Sequence, residues 1–280
     1  MATVPPGIVE SLPQWLEVAV GLSRRAGEVV LDYQDRLAEV VTEFKGRREL
    51  VTEADRASER VVVEGLRSEF PDHAILAEEG VASPRGAADR ESDFRWLVDP
   101  LDGTTNFVHA IPFHCVALSL DYRGELLLGV VHAPALGDTY TAILGQGAWR
   151  NEQRLSVTGT SDLRDALVAT GLSYQRNEPG FEDNTARFGR IVPLCRDLRR
   201  LGSAQLDLCL TASGTYDGYW EMYLQPYDVA AGGLIVREAG GKVTDLSGGD
   251  DWVDQGQVLA TNGALHDAMM AVVGGPPGAG

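Results

Sequence analysis

Cysteine is scarce in this chain of 280 residues: Cys115, Cys195 and Cys209 are all there is, odd in number and scattered. That excludes a disulfide framework and fits reduced thiols in a cytoplasmic protein. Long apolar runs are missing too. Neither terminus carries the stretch of about 18 apolar residues that a membrane span needs, and Met1 to Leu12 lacks the basic start and apolar stretch of a signal peptide. Positive charge is short: 24 Lys and Arg face 41 Asp and Glu, a formal net charge of −17. No Lys/Arg stripe with interleaved aromatics is present, so no nucleic-acid partner is expected. The nearest basic cluster, Arg196, Arg199 and Arg200, reads as a solvated helix end. The sequence holds no G-x-x-x-x-G-K-S/T loop, and its five His and three Cys form no evident triad. A chain this acidic would repel a phosphate unless divalent cations supplied local positive charge.

What is present supports a sizeable core, with 44% of residues apolar. The length suits one large α/β unit or two lobes around a cleft. Trp15, Ala19, Leu22, Ala26, Val29 and Tyr33 recur at helical spacing and predict a helix over 13–34. A second is expected over 53–70, N-capped by Thr52, with Ala57, Val61, Gly65 and Leu66 inward. Strands are expected at Ala74–Ala77 and Trp96–Val98, joined by a flexible connection over 80–94. Phe113–Asp121, Leu126–His132 and Asp138–Ile143 read as an antiparallel meander. Leu167–Thr170, residues 216–223 and Val258–Thr261 read as further strands. Helices follow at 182–196, 203–213, 228–239 and 265–273, and the Gly/Pro-rich end 274–280 as a disordered tail. Helices and strands fall in blocks without strict alternation or internal repeat, which predicts a layered α+β fold.

The chemistry concentrates in acids at element ends. Trp96-Leu97-Val98 delivers Asp99, and Pro100 fixes the backbone so that Asp102 returns toward it. Two carboxylates three apart, with the Leu101 carbonyl, are hard oxygen ligands for divalent cations. Gly103 permits close backbone approach, and a helical turn from Thr104 would offer free N–H groups to a phosphate. Read alone, Asp-Pro-x-Asp-Gly is more often an ordinary turn with solvated acids than a site. Ala77-Glu78-Glu79-Gly80 also ends a strand in acids, Asp228 starts a helix in Tyr227–Gly232, and Asp55 could be only the capping-box partner of Thr52.

Together these segments resemble the inositol monophosphatase family. The resemblance rests on Trp96–Phe107 (WLVDPLDGTTNF), Glu78-Glu79, Val51–Asp55 and Tyr227–Gly232. Gly202-Ser203-Ala204, Tyr219–Met222 and Ala260-Thr261-Asn262 join them in the family's order, over roughly residues 14–273. It implies a layered αβαβα sandwich of the inositol monophosphatase and fructose-1,6-bisphosphatase type. One unit over 1–273 is expected, with lobes at about 1–150 and 151–273 and the site between them. It implies that Glu78, Asp99 and the Leu101 carbonyl hold one Mg²⁺, that Asp99, Asp102 and Asp228 hold a second, and that Glu78 contributes to a weaker third. Thr104, hydrogen-bonded to Asp55, would orient a metal-bound water; the amides of Gly103 and Thr104 would hold the phosphate.

Glu221, with Ser203 and Ala204, implies contact with polyol hydroxyls, as on myo-inositol 1-phosphate. Histidinol phosphate, fructose 1,6-bisphosphate, 3′-phosphoadenosine 5′-phosphate and NADP are alternatives, because one fold serves several substrates. A regulatory binding protein of the transcription machinery is a further alternative. Lithium sensitivity and a homodimer are also implied. Tyr227 replaces the family's usual Trp, Gln205 replaces a small residue and is expected at the pocket rim, and Lys45 matches a basic position beside a loop that is one residue shorter.

Overall fold

The computed structural model describes residues 4–44, 50–80, 92–174 and 184–275. Helix α1 (Pro6–Asp35) opens on a proline, whose missing N–H costs nothing at a helix start, and begins earlier than its apolar spacing suggests. A short antiparallel pair, β1 (Thr42–Phe44) and β2 (Leu50–Thr52), leads into α2 (Glu53–Glu69). Then come β3 (Ala74–Ala77), β4 (Phe94–Asp102), the short helix α3 (Thr104–Val108), β5 (Cys115–Tyr122), β6 (Glu125–Ala133), β7 (Asp138–Ile143), β8 (Gly147–Arg150) and β9 (Gln153–Arg154). The rest comprises β10 (Leu167–Thr170), α4 (Thr185–Ile191), β11 (Asp197–Arg199), α5 (Ala204–Ala212), β12 (Gly218–Met222), α6 (Pro226–Glu238), β13 (Lys242–Thr244), α7 (Trp252–Gln255), β14 (Gln257–Thr261) and α8 (His266–Val273).

Among the described residues β3 to β9 form a seven-stranded sheet in chain order, parallel at β3–β4 and antiparallel beyond. A five-stranded sheet runs β11-β10-β12-β14-β13. Helices α1 and α2 cover one face of the larger sheet, α5 and α6 fill the space between the sheets, and α4 and α8 cover the outer face of the smaller. This is the layered α+β arrangement expected from the blocks of elements.

Strand period sorts the cores. In β5, Val116, Leu118 and Leu120 face α1 and α2, while Cys115 and Ala117 face the central helices. In β12, Trp220 and Met222 join the outer core and Tyr219 the central one. Buried on both faces, such strands read as continuous apolar runs.

Several expectations are corrected. The inward stripe of α2 is Ala54, Asp55, Ser58, Glu59, Val62, Val63 and Leu66; Ala57, Val61 and Gly65 are half-buried. The stripe contains three polar residues, Asp55, Ser58 and Glu59, which hides it from an apolar-periodicity reading. The helix expected at 182–196 is shorter, with 182 and 183 outside the described residues. Residues 197–199 form β11, paired in parallel with β10, so the Arg cluster is no helix end. Arg196 pairs with Asp165 and Arg199 with Asp197. Gly274 and Gly275, assigned to the tail, are tied down: the Gly275 amide donates to Leu246 O at 2.7 Å, and its carbonyl accepts from the buried Arg187 at 2.7 Å. Residues 276–280 and most of the connection expected over 80–94 lie outside the described residues.

Gly129, in mid-β6, lets α6 approach the sheet: a Cβ there would lie 2.9 Å from Ala231 O and 3.0 Å from its Cα. Backbone cannot swing aside as a side chain can. Gly129→Ala should therefore lower stability by about 1–3 kcal/mol in urea unfolding, the usual cost of overpacking. An unchanged midpoint would contradict this packing.

Candidate active site

Parallel pairing of Ala77 with Val98 sets the chain after β3 beside the end of β4. The Glu78 amide donates to Val98 O at 3.2 Å, so Glu78 arrives next to Asp99. Strand β4 does not stop at Asp99. It continues to Asp102 across a register shift against β5 between those two acids. Pro100 has no N–H for the ladder, so pairing breaks there. The bulge is locked, with the Ser58 hydroxyl donating to Pro100 O at 2.7 Å and the Leu101 amide to Asp99 Oδ1 at 3.1 Å.

Gly103 then turns the chain at φ +93°, where a Cβ would meet Phe113 O at 3.0 Å, and α3 starts at Thr104. The Thr104 hydroxyl stands 2.9 Å from Asp55 Oδ1 and 3.1 Å from Leu101 O. Asp55 is the capping-box acid of α2, accepting from the Thr52 amide at 2.8 Å and hydroxyl at 2.6 Å. Capping and contact with Thr104 are thus one arrangement. Asp228 closes a second capping box, accepting from the Gln225 amide at 2.7 Å at the start of α6.

Glu78, Asp99, Leu101, Asp102, Gly103, Thr104, Ala204, Glu221 and Asp228 line one cavity of about 220 Å³. Asp55 reaches it only through Thr104. Ser203 is buried and faces Asp102, donating to its Oδ2 at 2.7 Å. The Gln205 and Ala204 amides also reach Asp102, at 2.7 and 3.3 Å. Gln205 is not at the rim. It is fully buried, donating to Tyr227 O at 2.6 Å and accepting from the Gly232 amide at 2.7 Å, and so braces α5 against α6. Lys45 lies outside the described residues.

Two groups escape a reading by acids alone. Arg200 lines the cavity at its exposed edge, two residues before Gly202. Glu59, fully buried one helical turn after Asp55, accepts from the Glu79 amide at 2.6 Å and holds the loop behind Glu78.

Burial raises the carboxyls of Asp55, Asp99, Asp102, Glu221 and Asp228. Asp99 is held well above the usual carboxylate range by desolvation and then by the charges of Glu78, Asp102 and Asp228. Asp228 is raised well too, by burial and then by Glu78. Burial lifts Asp102 to about 6 although Ser203, Gln205 and Ala204 pull it down. Asp55 rises to about 6 for the same reason, against the Thr52 hydrogen bonds. Glu221 rises to about 7 through burial, opposed by the Tyr219 hydroxyl.

A set of hard oxygen donors that repel one another suits a hard divalent cation. Among the described residues no three His, Cys, Asp or Glu side chains already stand gathered at metal-holding spacing. The acids line a shared space rather than a closed cluster.

The inositol monophosphatase family model matches residues 11–274. Among similar proteins, Nus factor SuhB of Pseudomonas aeruginosa is 38% identical, over 92% of this chain and 95% of its own length. Inositol monophosphatase 2 of Solanum lycopersicum is also 38% identical, over 92% of this chain and 97% of that protein. The solved structure of the extragenic suppressor protein suhB from Bartonella henselae superposes with a TM-score of 0.86 at 33% identity, covering 93% of this chain and 98% of that one.

The raised carboxyls set a pH signature. Folded-state values above unfolded ones mean that the native state binds more protons, so these groups lower stability as pH rises from about 4 through 7. A divalent cation should offset that loss. The gain in Tm with Mg²⁺ over EDTA should thus grow from pH 5 to pH 8; the buried histidines titrate in both samples and cancel in the difference. A gain that is flat or shrinks with pH would contradict the charge arrangement.

Proposed function

We propose that this chain, which belongs to the inositol monophosphatase family, is a magnesium-dependent phosphatase acting on a small polyol monophosphate such as myo-inositol 1-phosphate. The observation that carries this reading is the convergence of Glu78, Asp99, the Leu101 carbonyl, Asp102 and Asp228 on one cavity beside the Thr104–Asp55 pair. In this reading residues 1–273 act as one unit whose lobes, about 1–150 and 151–273, meet at the cavity. It works as a cytoplasmic homodimer.

Glu78, Asp99 and Leu101 would hold one Mg²⁺ and Asp99, Asp102 and Asp228 another, with Glu78 serving a third. Bound cations would neutralise the substrate's charge, stabilise the leaving oxygen and lower the pKa of a water. The chain's own part is positioning, the main demand of phosphoryl transfer. The Thr104 hydroxyl donates to Asp55, which leaves its lone pairs to accept a hydrogen bond from the attacking water and aim the oxygen at phosphorus. The amides of Gly103 and Thr104 hold the phosphate oxygens. One P–O bond forms to water, the ester P–O bond breaks, and the departing alkoxide takes up a proton in place of the one the attacking water gives up. Glu221 and Ala204 face the polyol. Ser203 acts through Asp102.

A second reading, a regulatory binding protein of the transcription machinery, draws support from relatives that carry the name Nus factor. The retained acids favour catalysis, and both roles can reside in one chain.

Phosphate release across a metabolite panel decides the matter: polyol phosphates should be fastest, EDTA should abolish turnover and Li⁺ should inhibit it. A decisive preference for histidinol phosphate would overturn the substrate. Asp99→Asn should remain folded and lose more than about a hundredfold in kcat, beyond the 10–100-fold typical of outer partners of a metal site. A folded variant with near-normal kcat would sink the assignment.

A further inference from the structure

Glu221 does not enter the cavity as a free side chain. It lies on the same face of β12 as Tyr219, two residues earlier, and the Tyr219 hydroxyl donates to Glu221 Oε2. Tyr219 is itself fully buried in the central core. It does not line the cavity and so does not touch what binds there. On the other side of the carboxylate stands Gly171, immediately after β10, where a methyl group would overlap the Glu221 carboxyl atoms. A buried phenol and a bare backbone thus confine one carboxylate between them.

The strand that carries Gly171 is fixed in turn. Asn184 donates to Thr170 Oγ1 and Gly171 O, both at 2.9 Å, and accepts from the Trp220 indole at 2.9 Å. Strands β10 and β12 are paired with Thr170 opposite Trp220. The clamp is therefore tied together from both strands. Asp207, buried on α5 with Oδ1 lacking a hydrogen-bond partner among the described residues, is held well above the usual carboxylate range by burial and then by the charge of Glu221. Burial and these acids hold the Tyr219 hydroxyl well above its usual pKa, so it remains a donor.

We infer that Tyr219 is a positioning residue for substrate selection: with Gly171 it fixes the Glu221 carboxylate so that one oxygen is left to accept from a substrate hydroxyl. This rests on the phosphatase reading, and deepens it by assigning the preference for hydroxyl-bearing esters to a residue outside the cavity. The phenol donates to Oε2, which leaves Oε1 to accept from a ligand hydroxyl. Freed from the phenol, the carboxylate would have to be ordered by the substrate itself, which costs affinity for hydroxyl-bearing esters and little for others.

Two measurements on the full chain test this. In steady-state kinetics with Mg²⁺, Tyr219→Phe should lower kcat/KM for myo-inositol 1-phosphate by about ten- to a hundredfold, the scale of one hydrogen bond to a charged group, chiefly through KM. On p-nitrophenyl phosphate, which offers Glu221 no hydroxyl, both constants should stay within about twofold. Gly171→Ala should show the same selective loss. Equal losses on both substrates, or no loss on either, would overturn the assignment.

The second measurement is a double-mutant cycle of Tyr219→Phe and Glu221→Gln in urea unfolding. It should show non-additive effects whatever the substrate, and additive ones would overturn the pair. If the wild type cleaves p-nitrophenyl phosphate but no polyol phosphate, the selection role fails and the phosphatase reading stands. If it cleaves neither, the phosphatase reading fails and the selection role falls with it.

Discussion

Four carboxylates that repel one another converge on one cavity in this protein, Asp99 buried and Glu78, Asp102 and Asp228 half-buried, and much of the structure around them serves to keep them there. Asp99 carries the constraint most directly, because Glu78, Asp102 and Asp228 all raise its pKa. Buried like charges are expensive unless partnered. Three of the four are held by backbone or hydroxyl donors of their own element or a neighbour. Asp228 is fixed by a capping box, Asp102 by the first turn of α5, and Asp99 by the amide of Leu101. These bonds orient the oxygens without neutralising them, and a hard cation would complete the charge balance.

The layers explain how the acids are brought together. Parallel pairing of β3 with β4 sets Glu78 beside Asp99, and the bulge at Pro100 carries β4 on to Asp102. Helix α6 lies close against β6 because Gly129 presents no side chain to it, and its first turn brings Asp228 to the same cavity. Gln205 ties α5 to α6, so the helix holding Asp102 and the one holding Asp228 move as a pair. Packing in the central core is thus also the alignment of the site.

Much of this was legible in the amino-acid order. Thr52-x-x-Asp55 is a capping box by residue type, and the structure has it with both bonds made. Strand runs with Gly and Pro breaks identified the meander from β5 to β7. Glu78, Asp102 and Asp228 announced themselves because each sits where an element begins or ends, whereas Asp99 lies inside β4, beside the bulge at Pro100. Other features were hidden for physical reasons. The buried face of α2 carries Asp55, Ser58 and Glu59, so its periodicity is masked by polar residues serving the site. Gln205 looks like a surface residue until the facing helix supplies both its partners, and Arg200 becomes a cavity residue only where the chain leaving β11 passes the edge of the site. Such roles depend on contacts between segments far apart in the chain, which local pattern does not encode.

The central claim is that the acids of one cavity share protons they cannot all release until a cation is bound. Isothermal titration calorimetry of Mg²⁺ binding at pH 6.5, in buffers of different ionisation enthalpy, counts the protons displaced. Raised carboxyls predict net proton release, and so a binding enthalpy that depends on the buffer; release should fade toward pH 9. Binding whose enthalpy is the same in every buffer at pH 6.5 would contradict the account.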